Sequence, residues 1–386
     1  MHAPDTLALA SAAGFTLLTL ITIACAPRKD FGAGQRTQLL MIYGGTILAY
    51  LAASPWMFVL GWAASVAPSV RDRQMAGWPR LALLSSTVSL AAGLLLPGLT
   101  PSPEGRSAGF ALLILAVLLR KGIFPFHTWV TRAFAGGSLP QLNLVLNSHL
   151  GAYLMIRFAV PLFPDLAQQS LAALGALAIF TSVYTAVLAI VARPPRRILA
   201  LLATSQASFI LAGLENRNVE GITGALVHWW VVSFAITALL AIYRALEART
   251  MDVVAPGGFL GLGFHTPRLA IFFAVAILAL VGLPGTLGFA AEDLLFHGSL
   301  ESHPLLGLGL PLATALNAIT GLRLLATLFL GKRGVHVPMI LDARPRERWA
   351  LTLPVLVLVV FGLVPRLLIS VCLPAAESLA ALLNSR

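Results

Sequence analysis

The sequence predicts an all-α polytopic membrane protein, and three observations support this fold class. Of the 386 residues, 58% are hydrophobic and only 11% are charged, whereas a soluble domain carries about 25% charged residues. Proline, glycine and arginine interrupt the apolar segments, without the alternation of a membrane barrel, which favours helical spans. At roughly 20 residues for each span, with short loops, the chain has room for about 12 transmembrane helices.

The apolar segments form one predicted transmembrane domain that covers residues 1–386, with its core motif region at about 108–330. Two spans, 108–129 and 269–296, contain helix breakers and are predicted to be broken helices. The first apolar segment lacks a basic leader, so we interpret it as a retained span rather than a signal peptide. The ten other spans are predicted at 6–26, 38–53, 56–68, 81–96, 142–158, 166–191, 198–214, 222–243, 305–329 and 351–372.

The net charge of +11 falls mainly in alternate loops. This distribution follows the positive-inside rule and argues against nucleic-acid binding. It predicts a multi-pass protein of the cell inner membrane with both termini on the outer side. The predicted cytoplasmic side holds Arg28, Lys29, Arg36, Arg71, Arg73, Arg80, Arg132, Arg193, Arg196, Arg197, Arg244, Arg249, Arg268, Lys332, Arg333, Arg344, Arg346 and Arg348, and the other side holds Arg106, Arg157, Arg217, Arg366 and Arg386.

The sequence offers no motif for a cofactor or a metal. Cys25 and Cys372 lie in separate apolar runs and suggest neither a disulfide framework nor a metal pair. There is no dinucleotide-binding glycine motif and no cysteine cluster for iron and sulfur. We therefore expect no cofactor, and no catalytic or redox site within this chain.

A small set of ionisable residues remains inside the predicted spans. A charge at the bilayer centre costs about 2.5–3.5 kcal/mol on insertion scales, so such residues usually face the bundle interior and serve a function. A proton relay is one interpretation, and neutral histidines hydrogen-bonded between helices are the alternative. We expect Arg323 to be a structural partner, since arginine hardly ever releases its proton. The full set is Arg120, Lys121, His127, His149, His228, Glu292, Asp293, His297 and Arg323.

Each predicted broken helix places a charge beside a proline. Pro125 follows Arg120 and Lys121, and Pro284 precedes Glu292. Proline removes a helix hydrogen bond and exposes backbone. Paired broken helices with adjacent charges are typical of ion sites in transporters, although each break alone is compatible with a packing kink.

The segments around these residues resemble the antiporter-like membrane subunits of NADH:quinone oxidoreductase (complex I) and of Mrp-type cation/proton antiporters. "RKGIFPFHTWV" is similar to the family's first broken helix, and "GLPGTLGFAAEDLLFHGS" is similar to its second, with Glu292 in the position of a terminal Lys or Glu. "HLGAYLMIRFAVPLFP" places His149 in the position of a central Lys or His, and "ALVHWW" places His228 in the Ala-x-x-His motif. "ILALLATSQASFILAGL" resembles the family's Ser- and Gln-containing helix.

The resemblance implies a proton-translocating subunit of a larger complex. The family usually has about fourteen helices, and this chain is similar to the last 12, without the first two. The family's acidic position after tryptophan falls on Ala63, and a lysine eight residues after the Ala-x-x-His histidine falls on Ile236. Alignment on Pro125 favours Arg120 for the family's lysine. Chemistry favours Lys121, because a buried lysine can release its proton, and Arg120 is then a fixed charge or a lipid-edge anchor.

Three functions remain open at this point. The first is proton translocation with other membrane or peripheral subunits, with Na⁺ as an alternative coupled ion. The second is coupling in a DAB-type inorganic-carbon accumulation complex, where the partner handles inorganic carbon. The third is a non-conducting scaffold, suggested by the residues lost at Ala63 and Ile236. Whether the chain is part of an enzyme depends on the partner complex.

Overall fold

The computed structural model describes residues 5–32, 34–250, 259–331 and 340–385. Within these ranges the chain is helical and has no β-strand. Lys332, Arg333 and Arg386, counted in the charge distribution, lie outside the described residues. The helices are α1 (Thr6–Cys25), α2 (Gln35–Tyr50), α3 (Pro55–Arg71), α4 (Trp78–Leu99), α5 (Pro103–Lys121), α6 (Thr128–Gly136), α7 (Leu139–Asn147), α8 (Leu150–Leu154), α9 (Val160–Leu162), α10 (Pro164–Val191), α11 (Pro195–Leu214), α12 (Val219–Thr250), α13 (Pro267–Leu280), α14 (Leu287–Ser302), α15 (Pro304–Gly307), α16 (Gly309–Phe329), α17 (Pro345–Leu363) and α18 (Arg366–Asn384).

Seven helices are long and apolar enough to cross a membrane by length and composition. They are α1, α4, α10, α11, α12, α16 and α18. α11 and α12 are the most enclosed of them, because their residues are buried on nearly every side. The chain is thus an all-helical membrane protein built around two central helices, and the predicted total of twelve spans stays a prediction.

Ion pairs join helix ends and connections at the two opposite faces of the bundle, which are called here the basic face and the opposite face. At the basic face, Arg244 of α12 pairs with Asp30 of the α1–α2 connection, Arg196 at the start of α11 pairs with Glu247, and Arg249 pairs with Glu347 of α17. At the opposite face, Arg106 pairs with Asp165 and Arg157 pairs with Asp5.

Both described ends of the chain lie at the opposite face. Asp5 precedes α1, and Ser385 follows α18 and accepts a hydrogen bond from Gln168 in the first turns of α10. The structure therefore places the two described ends of the chain at the same face. Which compartment the opposite face meets stays a prediction from loop charge.

The last helix corrects the predicted span at 351–372. The helix that starts at Pro345 ends at Leu363, and a separate amphipathic helix, α18, begins at Arg366. Asn384 at the end of α18 donates to the Arg217 carbonyl, so α18 ends at the opposite face. The apolar run continues through "LVPRLL", so the sequence did not reveal the boundary between α17 and α18. The buried face of α18 includes Leu368, Cys372, Ala376, Leu379 and Leu383.

Candidate functional site

The first helix break presents two cations at the end of α5. Lys121 is the last residue of α5, and Gly122 follows with a φ of 68°, a conformation that glycine adopts without strain. The chain resumes a helical path at Thr128, and the Trp129 indole donates to the Leu119 carbonyl over 2.7 Å. This bond ties α6 back to the open end of α5. The unpaired carbonyls of a helix C-terminus favour a cation at this position.

Lys121 contacts His149 directly. The Lys121 Nζ lies 2.6 Å from the His149 Nδ1. The two residues are only 5% and 1% exposed. His149 has a φ of 44°, in the left-handed region, and interrupts the helix between α7 and α8. Gly151 leaves room for the lysine, since a Cβ there would lie 2.8 Å from the Lys121 Cγ.

The opposite ring nitrogen of His149 is buried and has no hydrogen-bond partner. When the Lys121 ammonium donates to Nδ1, the neutral imidazole carries its proton on Nε2. A proton can therefore arrive on one ring nitrogen and leave from the other. Trp229 packs edge-on against the ring at 5.5 Å between centroids and limits its rotation.

Arg120 points away from His149 towards α3. Its guanidinium donates to the Ser65 hydroxyl over 3.0 Å and lies 5.0 Å from the Trp62 ring centroid. The residue is 2% exposed, so the lipid-edge alternative is wrong. Ala63 lies between these two contacts in sequence, where the family's acid would follow the tryptophan. Adjacent helical residues diverge by about 100°, which explains why the two cations face different partners.

His127 does not join Lys121 and His149. Its ring stacks on Phe124 at 5.9 Å and meets Tyr184 of α10 edge-on at 5.3 Å. Its Nδ1 is buried and has no hydrogen-bond partner. The sequence alone could not tell which of the two histidines meets the lysine, because that depends on how α8 and α10 pack around the break.

His228 lies at the centre of the bundle on α12. It is fully buried, and its ring stacks on Phe209 at 5.2 Å. Neither ring nitrogen has a hydrogen-bond partner. The same is true of both amide atoms of Gln206, on the neighbouring helix α11. Buried polar atoms are almost always satisfied by protein or by ordered water, so His228 and Gln206 are the groups here that can take up a further polar partner.

Gln206 was not singled out from the sequence as a site residue. The signal was available, because four polar residues, Thr204, Ser205, Gln206 and Ser208, crowd a buried helix. Beside it, the Asn317 amide of α16 donates to the Ser205 hydroxyl over 2.8 Å, and the Asn317 carbonyl oxygen has no partner. A polar layer therefore continues from α11 to α16.

Glu292 belongs to the second helix break. α13 ends at Leu280, and α14 begins at Leu287 after a turn that contains Pro284. Gly282 has a φ of 71°, and a Cβ there would lie 2.5 Å from the Glu292 Oε2. The Glu292 Oε1 is buried without a hydrogen-bond partner. The carboxyl thus packs against the broken backbone, as the sequence pattern suggested for a charge beside a break.

The remaining predicted residues lie apart from the groups at the two helix breaks. His297 approaches Asp293 to 3.4 Å, and both side chains are more than half exposed. Arg323 donates to the carbonyls of Ala189 and Ala192 over 2.8 and 2.9 Å, at the end of α10. Arg323 is therefore a helix-capping residue in this structure.

Two positions that are ionisable in the family, those of Ala63 and Ile236, carry apolar side chains here. Ile236 is fully buried in α12. In the described ranges, no carboxylate forms a hydrogen bond or an ion pair with Lys121, whose partner is His149. Those ranges also contain no group of three or more His, Cys, Asp or Glu side chains placed to hold a metal ion.

This arrangement defines a class of protein, a polytopic helical membrane protein with ionisable side chains at two helix breaks. A family model described as "NADH:quinone oxidoreductase/Mrp antiporter, TM" matches residues 74–317. The chain therefore belongs to the NADH:quinone oxidoreductase/Mrp antiporter family of membrane subunits. The resemblance stated from the motifs is confirmed.

Relatives agree with this assignment at modest identity. NADH-quinone oxidoreductase subunit N of Rhodococcus opacus is 27% identical over 262 residues, which cover 67% of this chain and 48% of the relative. NAD(P)H-quinone oxidoreductase chain 4 1 of Synechococcus elongatus is 26% identical over 382 residues, covering 90% of this chain and 71% of the relative. The match thus spans about half the length of the first protein and most of the second.

Two solved structures share the fold. A chain of respiratory complex I from Thermus thermophilus superposes with a TM-score of 0.87 at 24% identity, over 99% of this chain and 86% of that chain. A chain of the Mrp complex from a Dietzia species gives a TM-score of 0.84 at 18% identity, over 98% of this chain and 86% of that chain. The predicted all-helical membrane fold is confirmed.

Proposed function

We propose that this chain is a proton-translocating membrane subunit of a multi-subunit complex, with Lys121 and His149 as the central exchanging pair. The observation that carries the proposal is their 2.6 Å contact in a buried position beside two helix interruptions. Two ionisable groups from separate helices are costly inside a membrane protein and usually mark an ion or proton pathway. Family membership supports other subunits as partners.

The unpartnered groups suggest the route away from this pair. Beyond the His149 Nε2, His228 and Gln206 also hold buried polar atoms without partners, and the Glu292 Oε1 lies at the second break. Water between these groups would complete a line of donors and acceptors through the middle of the bundle. His127 faces α10 and has no place in this first step.

Each residue has a definite role in the proposal. Lys121 holds the exchangeable proton, and His149 receives it on Nδ1 and releases a proton from Nε2. Arg120 keeps its charge and acts through its field, because its contacts with Ser65 and Trp62 hold it away from His149. With Ala63 in place of the family's acid, the charge that drives Lys121 must come from a partner subunit.

The test is proton flux in proteoliposomes that contain the assembled complex purified with this chain. Lys121→Ala and His149→Ala are expected to abolish flux, and Lys29→Ala is the matched control because Lys29 is an exposed lysine at the basic face. Full flux in the Lys121→Ala variant would rule out the assignment. A wild-type complex that conducts no protons would support the scaffold alternative.

The inorganic-carbon alternative shares the same membrane chemistry and differs in the partner. The absence of the acid at position 63 fits a subunit that receives its driving charge from an unusual partner. Purification of the complex and identification of its peripheral subunits distinguishes the two. A partner that handles inorganic carbon favours the inorganic-carbon role, and a redox partner favours the oxidoreductase role.

We also propose that the basic face meets the cytoplasm. Arg193 in the α10–α11 connection and Arg196 and Arg197 in the first turn of α11 lie there, and such basic segments usually stay on the cytoplasmic side. A single cysteine substituted for Pro195 should react with a membrane-impermeant probe only from the cytoplasmic side. Labelling from outside would reverse the orientation.

A further inference from the structure

The connection between α11 and α12 buries a carboxyl group that the proposed pathway has not used. Glu215 follows the last residue of α11, and its side chain is only 2% exposed. A glutamate is almost never fully buried unless it has a partner. Gly175 of α10 makes room for this carboxyl, because a Cβ at that position would collide with the Glu215 Cγ and Cδ. The site is therefore shaped around the side chain.

The imidazole of His303, at the end of α14, faces this carboxyl. The His303 Nε2 lies 3.4 Å from the Glu215 Oε2, and the histidine side chain is 41% exposed. The Glu215 Oε2 is buried and has no hydrogen-bond partner. His303 thus has one side towards a buried carboxyl oxygen and another towards the surface.

Arg217 lies two residues after the carboxyl but does not bind it. Its guanidinium donates to the Gln168 carbonyl of α10. Burial raises the pKa of Glu215 to about 7, and the charge of Arg217 partly opposes this shift. The other acids around this corner, Glu220 of α12 and Glu301 of α14, are exposed to solvent. The carboxyl can therefore bind and release a proton near neutral pH.

A hydrogen bond links this corner to α14, the helix that carries Glu292. The Asn216 amide, next to Glu215, donates to the Ser299 hydroxyl of α14 over 2.9 Å. Ser299 follows Glu292 by seven residues, so both lie on nearly the same face of α14, separated by a rise of about 10 Å. Leu295 and Phe296 lie between them on α14, so proton transfer between the second helix break and Glu215 requires water beside these side chains.

We propose that Glu215 and His303 form the site where the buried proton pathway exchanges protons with water at the opposite face. For release, the Glu215 O–H bond breaks as a bond forms between the proton and the His303 Nε2, and the proton on Nδ1 then leaves to water. For uptake the same steps run in reverse. The inference deepens the proposed function and depends on it, since an exchange site needs a pathway to serve.

Flux through the assembled complex in proteoliposomes provides the functional test. Glu215→Gln and His303→Gln should each slow proton flux by about tenfold or more, because each removes a proton-transfer group. The pH dependence of the flux should lose its inflection near pH 7 in Glu215→Gln. Glu220→Gln, which changes an exposed acid in the next turn of the chain, should match the wild type.

Infrared spectroscopy of the same complex provides a readout that does not need flux. Wild type should show the carbonyl band of a protonated carboxyl that disappears as the pH rises through about 7. Glu215→Gln should remove this band, and Glu220→Gln should keep it. If Glu215→Gln does not assemble, His303→Gln carries the flux test, because its side chain is partly exposed and not required for core packing.

The outcomes separate the two proposals. Wild-type flux with unchanged rates in Glu215→Gln and His303→Gln overturns the exchange site and leaves the proposed function standing. Persistence of the infrared band in Glu215→Gln also overturns it. A normal band in a wild-type complex that conducts no protons overturns the proposed function, and the exchange role with it.

Discussion

The two helix breaks hold their charges in different ways. At the first break, Lys121 ends α5 and contacts His149 of another helix, and Arg120 is held by Ser65 and Trp62. At the second break, Glu292 lies on α14 after the break, against the backbone at Gly282, and one oxygen has no partner. At the first break, a side chain from another part of the chain holds the charged group in place. At the second break, the backbone of the break itself holds it.

This difference indicates which residues at each break should tolerate substitution. A charge held by a partner side chain depends on that partner and on the space between the helices. A charge held against its own turn depends on the backbone conformation of that turn. Substitutions at matched positions in the two breaks can therefore test the comparison directly.

The largest effect is expected from Lys121→Ala. It removes the exchangeable proton and leaves the His149 Nδ1 without its partner, and loss of a proton-transfer group typically costs about 10²–10⁴-fold in rate. Lys121→Arg should also fail, because arginine keeps its proton. Proton flux in proteoliposomes measures both, and recovery of flux in Lys121→Arg would show that only the charge matters.

Glu292→Gln should cause the next largest loss of proton flux. The amide keeps the shape of the side chain but cannot take up a proton, so flux should fall by about tenfold or more. Thermal stability should change little, since the Oε1 has no hydrogen bond to lose. Asp293→Asn is the matched control, because that neighbouring acid is exposed. Equal loss of flux in both variants would contradict the role of Glu292.

The paired glycines should separate the two breaks. Gly282→Ala places a Cβ 2.5 Å from the Glu292 Oε2 at a φ of 71°, and a non-glycine residue in that region costs about 1–3 kcal/mol. Gly151→Ala lies in a helix and meets the Lys121 side chain at 2.8 Å. We therefore expect Gly282→Ala to lower the melting temperature more, and Gly151→Ala to reduce flux with a smaller loss of stability. The reverse order would refute the contrast between backbone and side-chain positioning.

Arg120→Lys should have the smallest effect. A lysine keeps the positive charge near Ser65 and Trp62, so flux should stay close to wild type. Arg120→Ala should lower thermal stability, because loss of the cation–π contact alone is worth about 2 kcal/mol in a desolvated site. If Arg120→Ala abolishes flux while Lys121→Ala does not, the exchanging role belongs to Arg120 through its field.

The sequence by itself determined the fold class, the family and the region of each break. Long apolar runs without the alternation of a barrel leave helices as the way to satisfy the backbone in a membrane. The charge pattern beside Pro125 and Pro284 identified both breaks, and family membership followed from motifs that span them. These features are local, so they can be read along the chain.

Only the tertiary structure decided which groups meet. The sequence could not choose between His127 and His149 as the partner of Lys121, or exclude the lipid edge for Arg120, because these depend on which helices pack at the break. It also missed Gln206, Glu215 and the boundary between α17 and α18. Contacts such as Glu215 with His303 join residues 88 positions apart, and helix packing, which no local pattern records, brings them together.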